Sequence, residues 1–173
     1  RAIVRGGPGT AARTVSLLGG ILTYAVDAGI IERNPAHGIK KPKDNVRKRR
    51  LSEAEYRLLG VLLRKAAQNE NYAMTVEIIR QITMTGCRRS EMIGLSWSEV
   101  DAQASCLRLE DSKEGYSIRP IGLPVVEYLE ERAKSRIGTY VFPGREEERA
   151  FGSFPNHWKK IFTDSPLADV SPH

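Results

Sequence analysis

Thr85-Gly86-Cys87-Arg88-Arg89-Ser90-Glu91-Met92-Ile93-Gly94-Leu95-Ser96-Trp97-Ser98-Glu99-Val100-Asp101 is the stretch on which the reading of this 173-residue chain turns. An apolar run ending at Met84 meets Thr85-Gly86, and a glycine there ends a helix in the left-handed conformation. A short helix follows, offering Leu95 and Trp97 to a core. Arg88 therefore falls at a helix-to-helix junction, where unpaired backbone N–H groups and the positive end of a helix dipole favour an anion. A guanidinium there can grip a phosphate with two parallel hydrogen bonds. The same spacing also permits a local Arg88–Glu91 ion pair, and this stretch alone leaves both readings open.

Upstream, Ser52-Glu53-Ala54-Glu55 is a capping box, and Leu51 with Tyr56 has the spacing of a hydrophobic staple. A helix is predicted from there to about Gln68, and a second from Tyr72 to Thr85 with Val76, Ile79, Ile82 and Met84 facing inward. Nearer the N-terminus, Gly6-Gly7-Pro8-Gly9 reads as a turn and Thr10 as a cap. Val15, Leu18, Ile21, Leu22 and Ala25 then recur at helical spacing until Gly29. Asp27 and several Gly, Ser and Thr residues make residues 14–31 too polar to span a membrane, so a soluble, mostly buried helix is expected.

The charge is located rather than general. Residues 1–50 hold 11 Lys+Arg against 3 Asp+Glu, whereas the whole chain carries +6. Seven of those cations lie in Lys40-Lys41-Pro42-Lys43-Asp44-Asn45-Val46-Arg47-Lys48-Arg49-Arg50. Such a run suits phosphate backbones, each contact releasing counterions, and is equally read as a solvated linker between domains. Cys87 and Cys106 make no metal-ligand spacing and no secretory signal precedes them, which predicts a reduced, cytoplasmic chain.

Downstream the period changes from helical to alternating. Cys106–Glu110 and Ser117–Ile121 read as two strands of a hairpin around Asp111–Tyr116, which puts Lys113 at an exposed tip. Pro124 suits the first turn of a helix ending near Ser135. Tyr140–Gly144 reads as a short buried segment, Glu146–Arg149 as a charged loop and Pro155–Thr163 as a last amphipathic helix, on which His157 and Trp158 are expected to pack. His37 reads as a surface residue. The fold class expected is mainly α with a small antiparallel β-sheet.

Five segments in this order resemble the tyrosine recombinases, the phage integrase family. Thr85–Glu91 with Gly94–Trp97 and Val100-Asp101 resembles its first arginine box, and Asp111-Ser112-Lys113 with Gly115 its β-hairpin lysine motif. Tyr140–Gly144 is similar to the strand that follows, and Ala168–His173 to the run into its His-x-x-Arg box. Gly9–Thr14, Ala25-Val26, Gly29–Ile31, Asn34-Pro35 and the basic segment resemble the end of a core-binding domain.

The resemblance implies Arg88 as the first catalytic arginine, Lys113 as the lysine general acid and His173 as the box histidine. It implies double-stranded DNA as partner, a homotetramer on DNA, and no metal, ATP or other cofactor. Contacts to DNA are expected from Arg13, Lys40, Lys41, Lys43, Arg47, Lys48, Arg49 and Arg50. The domains expected are 1–36, the C-terminal part of a core-binding domain; 37–50, a basic linker; and 51–173, a catalytic domain. None of the tyrosines at 24, 56, 72, 116, 128 and 140 occupies the position of the family's nucleophile. The chain, which opens at Arg1 without methionine and stops at His173, is therefore expected to be part of a longer recombinase. A non-catalytic DNA-binding module that keeps the fold is the alternative.

Overall fold

The computed structural model describes residues 2–42, 49–112 and 115–172. It divides into two compact units, Arg1–Arg50 and Leu51–His173.

The first unit is built on α1 (Ala2–Asp27), which breaks once, at Gly7 (φ 74, ψ 175). The expected four-residue turn is thus a single non-helical residue. Pro8 continues the helix, where its missing N–H costs nothing in a first turn. Thr10 does not cap; it lies inside the helix, its carbonyl accepting from Thr14 Oγ1 at 3.0 Å. The far end closes as expected, with Gly29 at φ 69. Gly29 N–H donates to Val26 O and Ile30 N–H to Ala25 O, a Schellman closure. Asn34 then hangs the turn on the helix by donating from Nδ2 to Gly19 O and Thr23 Oγ1, both at 2.9 Å. The expectation of a mostly buried helix is corrected. Leu17, Leu18, Ile21 and Tyr24 are exposed, Tyr24 at 72%, because the described residues of this unit include no second apolar element to lay over them.

The second unit starts with α2 (Glu53–Ala66). Its capping box forms: Ser52 N–H donates to Glu55 Oε2 at 2.7 Å and Glu55 N–H donates to Ser52 Oγ at 3.3 Å. Leu51 packs against the core, but Tyr56 stays exposed. A single 3-10 turn, Glu70–Tyr72, leads into α3 (Ala73–Thr85), which buries Thr75, Val76, Ile78, Ile79 and Gln81. Met84 is corrected to an outward position, 48% exposed. Five residues past Ile79, it lies ~140° round the helix from that core position. Gly86 ends α3 at φ 66, its N–H donating to Ile82 O. Then come α4 (Arg89–Ile93) and a 3-10 turn, Trp97–Glu99.

The sheet has three antiparallel strands in the order β1 (Val100–Asp101), β2 (Cys106–Ser112), β3 (Gly115–Pro120). Sequence alternation shows the last two; β1 is too short to alternate. Arg108 fastens it across the strands, donating from Nε and Nη2 to Asp101 Oδ2 at 3.0 and 2.8 Å. The hairpin register pairs Leu107 with Arg119 and Leu109 with Ser117, then shifts before Ser112–Gly115, one extra residue on β2.

Leu107 and Leu109 turn inward while Tyr116 and Ile118 face solvent. α5 (Leu123–Ala133) and α6 (Phe154–Phe162) pack against α3 and, with the buried Val141–Phe142 segment, share one core with Leu107 and Leu109. Arg132 Nε donates to Val141 O at 2.7 Å, and its guanidinium lies 5.0 Å over the Phe142 ring. On α6, Trp158 lies against Phe162, ring centroids 4.2 Å apart, so that residue packs as expected. His37 is exposed, and Cys87 and Cys106 are buried, unbridged thiols. No helix among the described residues is long and apolar enough to cross a membrane.

Candidate active site and nucleic-acid interface

The junction between α3 and α4 is built by local hydrogen bonds. Thr85 Oγ1 donates to Gln81 O at 2.7 Å and accepts from Cys87 N–H at 3.2 Å, so the chain turns tightly after the helix. Cys87 points into the core; burial pushes its thiol up, and it stays protonated at neutral pH. Arg88 then stands at the N-cap of α4 with extended backbone (φ −63, ψ 149).

Glu91 holds it twice. Arg88 N–H donates to Glu91 Oε2 at 2.8 Å, and Arg88 Nη1 donates to Glu91 Oε1 at 2.7 Å. Only 5% of the Glu91 side chain is exposed, against 37% for Arg88. Burial alone would push the Glu91 carboxyl up. The side-chain and backbone hydrogen bonds from Arg88, with the charges of Arg88 and Arg119, outweigh it and hold the carboxyl below the usual range. The two readings that the sequence leaves open are therefore compatible. The ion pair exists, and it presents a guanidinium of fixed orientation at the surface.

Arg119, on β3, reaches the same carboxylate, its Nη2 lying 3.9 Å from Glu91 Oε2. Sequence reasoning passed over this residue. The available signal was an arginine at an inward-facing step of an alternating strand, where a cation calls for an anion. The hairpin that joins β2 and β3 carries Lys113, which lies outside the described residues, as does His173.

In the first unit, Lys41 Nζ donates to Ser16 Oγ at 3.2 Å. Ser16 is one turn beyond Arg13 on α1, so Lys41 and Arg13 come to neighbouring turns of one helix. Arg13, Lys40, Arg49 and Arg50 are exposed, Arg49 Nη1 donating to Arg50 O at 2.7 Å. Lys43, Arg47 and Lys48 lie outside the described residues.

The phage integrase family profile matches residues 49–173. The chain belongs to the phage integrase family. Over 70 residues it is 34% identical to the prophage integrase IntF of Escherichia coli K12, a match spanning 40% of this chain and 15% of IntF. Its fold is that of the Tn1549 transposon integrase in complex with circular intermediate DNA (TM-score 0.69, 16% identity, 100% of this chain and 63% of that one). It is equally that of the lambda integrase dimer on a COC′ core site (TM-score 0.66, 19% identity, 98% and 48%). The chain thus spans less than two thirds of each of these relatives. The resemblance to tyrosine recombinases and the expected fold class, mainly helical with a small antiparallel sheet, are both borne out.

Proposed function

We propose that this integrase-family chain binds double-stranded DNA and contributes to cleaving and rejoining its strands through a 3′-phosphotyrosyl intermediate. The observation that carries this is the Arg88 guanidinium, held on one side by a nearly buried Glu91 and still partly exposed. Attack of a tyrosine on a phosphodiester builds charge on the non-bridging oxygens, and a preorganised guanidinium stabilises it without having to reorganise. Lys113 is the general acid that protonates the departing 5′-oxygen, and His173 completes the phosphate site. The covalent intermediate conserves the bond energy, so rejoining needs no external energy source.

We read residues 1–36 as the C-terminal part of a core-binding domain, 37–50 as a basic linker and 51–173 as catalytic domain; the division into two compact units after Arg50 supports this reading. Arg13, Lys40, Lys41, Lys43, Arg47, Lys48, Arg49 and Arg50 grip the DNA backbone. The active assembly is a homotetramer, by analogy with the lambda integrase tetramer bound to a Holliday junction, and it works in the cytoplasm, where Cys87 and Cys106 stay reduced.

The test is covalent trapping on a nicked DNA half-site by an intact integrase carrying this sequence. The adduct should form with the parent and fall at least about a hundredfold with Lys113→Ala, while DNA affinity changes little. DNA binding with no adduct in the parent would make the chain a non-catalytic DNA-binding module.

A further inference from the structure

Arg119 occupies a costly place. It pairs with Leu107 across the hairpin, so its side chain leaves β3 on the face that Leu107 and Leu109 bury. Its Nε is buried with no hydrogen-bond partner, and one third of the side chain remains exposed, at 34%. A buried, unsatisfied N–H is paid for in stability. What the guanidinium meets there is the Glu91 carboxylate, whose Oε1 accepts from Arg88 Nη1 and whose Oε2, which accepts from the Arg88 N–H, lies 3.9 Å from Arg119 Nη2.

We propose that Arg119 is a positioning residue of the phosphate site, acting through Glu91 to couple the lysine-bearing hairpin to Arg88. One carboxylate shared by two guanidinium groups leaves the trio with a net positive charge. Without Arg119, Glu91 would neutralise Arg88 one to one and weaken its grip on a developing phosphorane charge. The tie also spans elements: Glu91 and Arg88 belong to the start of α4, Arg119 to the strand that returns from the Lys113 tip. A seated hairpin therefore favours a correctly held Arg88, and a displaced one loosens it. At 3.9 Å the contact is an ion pair without a hydrogen bond.

This inference rests on the reading of Arg88 as phosphate clamp, and its test has two arms. In an intact integrase, Arg119→Ala should slow single-turnover cleavage at saturating DNA by roughly tenfold to a hundredfold, with DNA affinity nearly unchanged, and Arg119→Lys should recover most of the rate. In a Glu91→Gln background, Arg119→Ala should cost little more, because the group through which it acts is gone. An equal cost in both backgrounds, or an unchanged rate, overturns the proposal.

The second arm needs no activity. In the 173-residue chain, side-chain NMR should show the Glu91 carboxyl titrating at higher pH, and the Arg88 Nε resonance displaced, in Arg119→Ala but not in Arg119→Lys. Unchanged resonances overturn the proposal. If the parent integrase forms no adduct while these shifts appear, the strand-transfer reading fails and the tie stands.

Discussion

Thr75 Oγ1 on α3 and His157 Nδ1 on α6 share a hydrogen bond of 2.9 Å, closing a distance of 82 residues in sequence. His157 also meets Tyr72 edge-on, ring centroids 5.1 Å apart. Burial pushes the His157 imidazole below its ordinary 6.5, and the charge of Lys160 pushes the same way. A folded pKa below the unfolded one means that the unfolded chain binds the proton more readily. Stability should therefore be full above about pH 6.5 and decline as the pH falls through the folded value. Thermal melts between pH 7.5 and 5 should show this slope. His157→Gln should flatten it, and a slope unaltered in that variant would place the titrating group elsewhere.

Removing the Arg88 side chain strands a carboxylate. In Arg88→Ala, Glu91 keeps its backbone hydrogen bond but loses its nearest cation, which should destabilise the second unit by about 1–3 kcal/mol. The acid limb should move as well. Glu91 is held below its ordinary 4.5, so its contribution is present above that pH and fades as the pH falls; with Arg88 gone the folded pKa rises toward the unfolded one and this acid-side loss should shrink. Urea titrations at pH 4 and pH 7 measure both effects. In an intact integrase the same variant should yield no covalent DNA adduct.

Arg132 ties α5 to the Val141–Phe142 segment and to α3. It donates to Val141 O, lies over Phe142 and brings Nη2 to 3.1 Å from Met74 Sδ. Arg132→Met keeps much of the volume but leaves a buried carbonyl unpaired. A loss of about 2 kcal/mol is expected, seen as a lower urea midpoint at unchanged slope. A loss near zero would mean that another donor replaces it.

The basic segment makes a salt-dependence prediction. Replacing Lys48, Arg49 and Arg50 by Gln should flatten the plot of log affinity for duplex DNA against log salt by roughly one unit for each phosphate no longer neutralised, and weaken binding to all sequences alike. An unchanged slope would leave the segment as a tether.

Most of the second unit is legible in the sequence because its signals are local. Ser52 with Glu55 announces a helix start, Gly86 a helix end, and the alternation on either side of Asp111 a hairpin, and each forms. Met84 misleads because its apolar character continues past the point where the α3 stripe turns away from the core. The exposure of Leu17 and Tyr24 is illegible for a different reason. A periodic apolar face says that a helix wants a partner, not that one lies within the same unit. At the candidate site, Arg88 and Glu91 can be linked from their spacing. Arg119 cannot, since its approach to Glu91 depends on how β3 is seated against α4, a relation between residues 28 positions apart.

The extra residue in β2 and the shape of the sheet edges have a consequence for solubility. An edge strand with free N–H and C=O groups is a template on which another copy can add a strand and begin to aggregate. Here one edge, β1, is only two residues long. The other, β3, runs from beside the register shift to Pro120, which brings no N–H of its own. Edges of this kind disfavour the addition of a further strand from a neighbouring copy.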